Sequence, residues 1–251
     1  MQVESYAISD LGRVRSRNED AFLKDDEAKL YIVADGMGGH VGGDMASRMA
    51  VDNIRKSVIE SLKKMNPSAG NTSTGMEIEA RLINALKLAN DQIYLESVEN
   101  PEYRGMGTTT TAILIYRNQA TIAHVGDSRA YLLRNGAIRQ ITEDHSWVNE
   151  QVKAGFITSE EARNHRLKNV ITRSLGHEKD VRVDIVRLDL KVGDMYLICS
   201  DGLSNMVTDS EIQESVIKNP LKEALESLLS LANDRGGFDN ITAVLVVVTG
   251  N

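Results

Sequence analysis

The chain has 251 residues, 41% hydrophobic and 26% charged, with 29 Lys and Arg against 36 Asp and Glu for a net charge of −7. That length suits one large domain or two small ones with a substantial core, and the acidic balance argues against a nucleic-acid or anionic-membrane surface. The single Cys199 excludes an internal disulfide and fits a reducing compartment; with no signal-like start and no apolar run near the roughly 20 residues of a membrane span, the expected location is cytoplasmic.

In chain order, "VESYAIS" (3–9) alternates as a half-buried strand and "LYIVAD" (30–35) reads as a buried one. A glycine-rich run follows, "GMGGHVGG" (36–43). It fails the dinucleotide pattern G-x-G-x-x-G, because the third glycine should fall at Val41, and no lysine lies between Lys29 and Lys56 to make a phosphate loop. Met45, Met49, Ile54, Val58 and Leu62 recur at helical spacing through 44–65, and Ile78, Leu82, Leu86, Ala89 and Ile93 do so through 77–97. Between them "NPSAGNTSTG" (66–75) is expected to be a mobile connection.

Next come "TTTTAILIY", "QATIAHVGD", "RAYLLRNG" and "AIRQIT", expected to form an antiparallel meander with an Asn135-Gly136 hairpin turn. The polar stretch 143–176 interrupts the strands with short helical pieces; so long an insertion in a compact domain is usually a lid or binding segment. In "VRVDIVRLDL" (181–190) the alternation changes phase between Ile185 and Val186, which predicts a bulge. "MYLICSD" (195–201) and "ITAVLVVV" (241–248) are buried strands, and a helix is expected over 220–233, with Pro220 in its first turn. The expected class is α+β: a central antiparallel β-sandwich flanked by pairs of helices.

The acidic residues fall in a pattern. Asp35, Asp127 and Asp201 each end a strand beside a glycine, and Asp239 begins the last one. In an antiparallel sheet such positions can share one rim. Taken singly, each Asp-Gly reads more readily as a turn than as a ligand; the recurrence is what points to a site. Clustered carboxylates need a compensating cation, and all-oxygen donors suit Mg²⁺ or Mn²⁺. Zinc is disfavoured, since the five histidines lack paired spacing and there is one cysteine. Cysteine-phosphatase chemistry is excluded because Asn205 stands where C-x₅-R needs arginine, and no G-x-S-x-G elbow exists.

Seven motifs then occur in order: "VRSRNEDAF", "VADGMGGHVGG", "GTTTTA", "AHVGDSRAY", "TEDHS", "ICSDGL" and "DNITAVLV". Together, from about residue 3 to 248, they resemble the PP2C-like (PPM) metal-dependent Ser/Thr protein phosphatases, in their compact bacterial branch. The resemblance implies one domain over 1–251, a flap at 143–176, and a centre of two Mn²⁺ or Mg²⁺ ions that activates water to attack phosphoserine or phosphothreonine. By the same resemblance Asp35 bridges the ions as a catalytic residue. The Gly36 carbonyl helps bind one of them, Asp201 and Asp239 complete the first metal's ligands, and Glu19 and Asp20 hold the second directly or through water. Asp127 with Asp201 matches a third site. Arg15 binds the substrate phosphate, Arg13 and Arg17 are surface charges, and Asn240 braces Asp239. Trp147 and Phe156 are expected to pack the flap's own small core. Met37 departs from the histidine that many eukaryotic members carry there, and His40 does not match its position, so the general acid stays open.

The implied partners are phosphorylated proteins, a Ser/Thr kinase and its substrates, met by a monomer. Two other readings differ in class. One is a catalytically silent phosphoprotein-binding module, which would have no physical need for Asp35, Asp201, Asp239 and Arg15 together. The other is a nucleotide binder using the glycine run.

Overall fold

Alternation decides which way each strand faces, and in this computed structural model, which describes residues 1–38, 42–64 and 75–250, it sorts the apolar residues into three layers. One antiparallel sheet has the order β1 (Gln2–Asp10), β11 (Ile241–Gly250), β10 (Met195–Cys199), β7 (Arg129–Arg134), β8 (Ala137–Gln140). The other runs β2 (Asp20–Asp25), β3 (Leu30–Met37), β5 (Thr110–Tyr116), β6 (Gln119–Val125), β9 (Asp184–Asp189), with the short β4 (Gly107–Thr108) pairing the end of β3. Tyr31, Val33, Ile113 and Ile122 from the second sheet meet Leu132, Tyr196, Ile198 and Val244 from the first to form the core between the sheets.

The residues between these point outward. Leu30, Ile32, Ala112 and Leu114 pack under α1 (Gly42–Lys63) and α2 (Gly75–Glu99), while Leu133, Leu197 and Leu245 pack under α5 (Asp201–Ser204), α6 (Asp209–Lys218) and α7 (Leu221–Asp234). The expected α2 stripe, Ile78, Leu82, Leu86, Ala89 and Ile93, is fully buried, which is what joins that helix to the sheet. The connection expected at 66–75 lies outside the described residues except Gly75, which opens α2. Asn135 and Gly136, at φ 53° and 78°, make the predicted hairpin turn between β7 and β8. Among the described residues no helix is long and apolar enough to cross a membrane.

Two expectations are corrected. The four consecutive strands do not make one meander: β5 pairs β6 and β7 pairs β8, but between them the chain leaves one sheet for the other through Gly126, Asp127 and Ser128. The phase change in 181–190 is not a bulge either, because β9 pairs β6 in unbroken register from Asp184 opposite His124 to Asp189 opposite Gln119. Both faces of this sheet are covered, so Ile185 packs toward the helices while Val186 and Leu188 pack between the sheets. The alternation shifts because the buried face changes.

Candidate active site

β2 and β3 pair so that Asp20 stands opposite Asp35. The Asp35 peptide group is held firmly: its N–H donates to Thr109 Oγ1 at 3.1 Å, and its carbonyl accepts from Thr108 Oγ1 and Thr109 N at 2.8 Å each. The direction of the side chain is thereby fixed by bonds to its peptide group. Gly36 follows where the chain has no room, since a Cβ there would come within 2.5 Å of the Glu19 carbonyl oxygen and closer still to that of Gly43. The glycine run is therefore a close backbone approach that aims a carboxylate. Residues 39–41, including His40, lie outside the described residues.

Asp201 opens α5 directly after β10. The serine before it ties three strands: Ser200 Oγ donates to Asp20 Oδ2 at 2.8 Å and accepts from Thr242 N at 3.0 Å. Asp239, at the mouth of β11, accepts from Asn240 N at 2.8 Å and from Arg15 Nη2 at 2.7 Å. Asp127 is delivered by the sheet-to-sheet crossing. His145 clamps that turn, its Nδ1 accepting from Gly126 N at 2.9 Å and its backbone N–H donating to Gly126 O at 2.7 Å.

Asp35, Asp127, Asp201, Asp239, Glu19, Gly36 and Arg15 line one cleft of about 470 Å³, together with Met37, Asn169, Ile171 and Asn240. Arg17 lines it as well, whereas Arg13 does not. Asp20 lies beneath that wall, buried and hydrogen-bonded to Ser200 rather than facing the opening. A second cavity of about 680 Å³ adjoins beyond Asp127 and Asp201, between the 146–168 segment and residues 204–209, but it holds neither Arg15 nor Asp35.

Electrostatics sets this cleft apart from a surface turn. Burial, and then the neighbouring carboxylates, push Asp35 well above the usual carboxylate range, with Asp20, Asp201, Asp127 and Asp239 all contributing. Burial likewise raises Asp127, ahead of repulsion from Asp201 and Asp144. Asp20 is raised to about 7 by burial, opposed by hydroxyl bonds, and Asp201 to about 6 by burial and Asp239. Asp35 and Asp201 keep part of their surface open to the cleft, yet desolvation still leads for both. Asp20 Oδ1 and Asp127 Oδ1 are buried with no hydrogen-bond partner. Such oxygens are costly unless something positive meets them.

These residues fit a hard divalent cation in donor chemistry: oxygens only, buried, mutually repelling and partly unpartnered. Among the described residues, however, no three Asp, Glu, His or Cys side chains are already drawn together as a closed ligand set.

Two assignments change in detail. Asn240 does hold Asp239, as expected, but through its backbone N–H. Its Oδ1 accepts from Glu19 N at 2.8 Å, and its Nδ2 donates to Leu11 O and Arg17 O at 3.0 and 2.9 Å, so it fixes the loop that carries Arg15. In the 143–176 segment, α3 (Trp147–Lys153) and α4 (Ser159–Arg163) pack together and Trp147 stacks on His165 with ring centroids 5.1 Å apart. Phe156 is 77% exposed, in the turn after α3, and belongs to none of the buried clusters among the described residues, contrary to expectation. Thr108, Thr109 and Ser200 were not singled out from sequence, because nothing in a hydroxyl's spacing tells which backbone it will hold.

Comparison with known proteins agrees with this geometry. A family model described as "Protein phosphatase 2C" matches residues 13–245. The chain is 42% identical over 242 residues to the serine/threonine phosphatase stp of Listeria monocytogenes serotype 4b, covering 95% of this chain and 93% of that one. It is similar to the crystal structure of the Mycobacterium tuberculosis serine/threonine phosphatase PstP/Ppp, with 36% identity, a TM-score of 0.88 and full coverage of both chains. It also resembles the catalytic domain of the phosphatase PstP in complex with two manganese ions, with 36% identity, a TM-score of 0.83 and 99% coverage of each.

Proposed function

The chain belongs to the protein phosphatase 2C family and is a metal-dependent protein serine/threonine phosphatase working with Mn²⁺ or Mg²⁺, and we propose that its chemistry runs in the cleft framed by Asp35, Asp201, Asp239 and Arg15. The observation that carries this reading is the convergence of carboxylates from separate strand ends on one cleft, where burial and then the neighbouring carboxylates raise Asp35 and Asp201 above the usual carboxylate range. Asp35 would serve both ions, with Asp201 and Asp239 holding one of them, Glu19 with Asp20 holding the other directly or through water, and the Gly36 carbonyl helping to bind one; Asp127 and Asp201 would serve a third. When bound, such a pair supplies an ionised water as nucleophile and offsets charge on the phosphoryl oxygens.

The chain's own residues do the rest. Arg15 carries a planar fork suited to two phosphoryl oxygens at once; one arm now rests on Asp239, with the side chain half exposed and free to exchange that partner for substrate. The Thr108 and Thr109 bonds keep the Asp35 carboxylate from turning away. Asn240 holds the Arg15 loop and Glu19 in fixed relation to Asp239. Met37 lines the cleft and has no proton to give, so protonation of the leaving serine oxygen does not come from that position.

The same reading takes 1–251 as one domain, supported by β1 pairing β11 along its whole length. It takes 143–176 as a flap, supported by Asn169 and Ile171 on the cleft wall. It further takes the protein as a cytoplasmic monomer opposing a Ser/Thr kinase on shared phosphoprotein substrates, the location being supported by the lone cysteine. The test is hydrolysis of p-nitrophenyl phosphate and a phosphothreonine peptide with Mn²⁺, with Mg²⁺ and with excess EDTA. Activity on both that EDTA abolishes and metal restores is expected; a folded protein inactive with either metal would overturn the reading.

A further inference from the structure

The cleft walls are charged, but its outer lip is apolar at one place. Val14 and Phe238 are 63% and 60% exposed, and each stands directly before a residue of the cleft: Val14 before Arg15, Phe238 before Asp239. The two segments are strapped to one another. Arg13 N donates to Gly237 O at 2.8 Å, Arg15 reaches Asp239 at 2.7 Å, and the Asn240 amide holds the carbonyls on both sides of the Arg15 turn. The Phe238 ring lies over Gly236, where a Cβ would come within 2.6 Å of it, so the chain backs that side of the ring. Two apolar side chains are thus held outward on a braced lip.

We propose that Val14 and Phe238 form an apolar subsite for the side chain next to the phosphoresidue, so that the enzyme prefers phosphopolypeptides with an aliphatic or aromatic residue beside the phosphoserine or phosphothreonine. The inference rests on Arg15 as the phosphate contact. With the phosphate fixed there, an extended substrate advances about 3.3–3.6 Å per residue, so its neighbouring residue or the next reaches the lip that begins one residue from Arg15 and Asp239. Neither side chain lines the cleft itself, but each is the chain neighbour of a residue that does, and an apolar occupant would remove their exposed surface from water.

The test uses phosphothreonine peptides carrying Leu, Ser or Asp at each of the two positions before and after the phosphoresidue, with a glycine-flanked phosphothreonine as reference, all with Mn²⁺. Leu at one of these positions is expected to lower KM by about tenfold relative to Ser, at the lower end of what an apolar pocket discriminates. Phe238→Ala and Val14→Ser should each shrink that preference and leave the glycine-flanked reference unchanged, while Phe238→Leu keeps most of it. A wild-type enzyme indifferent to the flanking residue, or variants that lose the glycine-flanked reference in equal measure, would overturn the subsite. So would a flanking-residue preference that is unchanged in both variants. Failure of the wild type on the glycine-flanked peptide itself would instead bring down the phosphatase site on which the subsite depends.

Discussion

Replacing Gly36 by alanine tests whether the glycine run exists to bring three pieces of backbone together. The added Cβ would lie 2.5 Å from the Glu19 carbonyl oxygen and would press on the Gly43 carbonyl at the start of α1. Real Cβ atoms essentially never approach closer than 3.0 Å, so the Glu19 segment alone must retreat by about half an ångström, and it carries a proposed ligand. A misplacement of about 1 Å at a reacting centre costs roughly 100-fold, so about half that shift should cost Gly36→Ala roughly tenfold or more in kcat/KM. Overpacking against unyielding backbone costs about 1–3 kcal/mol, which in a chain of this size lowers Tm by about 2–4 °C per kcal/mol. The assay is phosphothreonine-peptide hydrolysis across a Mn²⁺ titration, paired with thermal melts. Gly193→Ala is the control, since that position has φ +87° but open space around it and should lose about 1–2 kcal/mol of stability with no loss of rate. A Gly36→Ala enzyme with wild-type turnover and Mn²⁺ dependence would refute the close-approach argument.

Asp239→Asn is nearly isosteric and should leave the melt close to wild type while lowering turnover well beyond the roughly 100-fold that loss of an outer-shell metal partner costs; a rate within threefold of wild type, read with p-nitrophenyl phosphate and saturating Mn²⁺, would remove Asp239 from the ligand set. Arg15→Ala should chiefly raise KM, with little change in Tm because its ion pair with Asp239 is exposed and such pairs contribute about 0–1 kcal/mol; an unchanged KM would move the phosphate contact to Arg17. His124 is 2% exposed, and burial, then His145, lowers its pKa from 6.5 to about 3. The folded value is below the unfolded one, so stability present above pH 6.5 is lost as pH falls from 6.5 toward 3. At about 1.36 kcal/mol per pH unit the loss by pH 5 is about 2 kcal/mol. His124→Gln should flatten that slope in melts at pH 7 and 5, and parallel slopes for variant and wild type would sink the assignment.

Helix faces and strand ends were legible because periodicity and glycine act locally. Asp35, Asp127, Asp201 and Asp239 all reach the cleft from the strand ends where the pattern set them. What periodicity does not encode is which strand is the neighbour, and so the crossing at Gly126 was hidden although it is what brings Asp127 to the cleft. The phase change at Ile185 misled for a related reason: a strand covered on both faces has no fixed apolar side. The α6 helix was overlooked despite a usable signal. Thr208 and Glu211 form a reciprocal capping box, their side chains bonding each other's backbone N–H at 2.9 and 3.4 Å, and T-x-x-E before an apolar run marks such a start. That Asn240 holds Asp239 was legible; that it does so through its backbone N–H, leaving its side-chain amide to hold the Arg15 loop, was not.

The Arg15 contact to Asp239 spans 224 positions of chain, and the Ser200 contact to Asp20 spans 180. Glu19, Asp20, Asp35 and Gly36 come from one local hairpin, but Asp127, Asp201 and Asp239 reach the cleft from distant strand ends, so no early folding unit holds the complete site, and closing such loops must precede any reward from the contacts they make. Folding should accordingly be slow for the size of the chain. Turnover then becomes a reporter of the whole native state: partial unfolding that detaches β11 takes Asp239, Asn240 and the grip on the Arg15 loop away in one step, and recovery of activity after denaturant dilution times the last global event rather than the first local one.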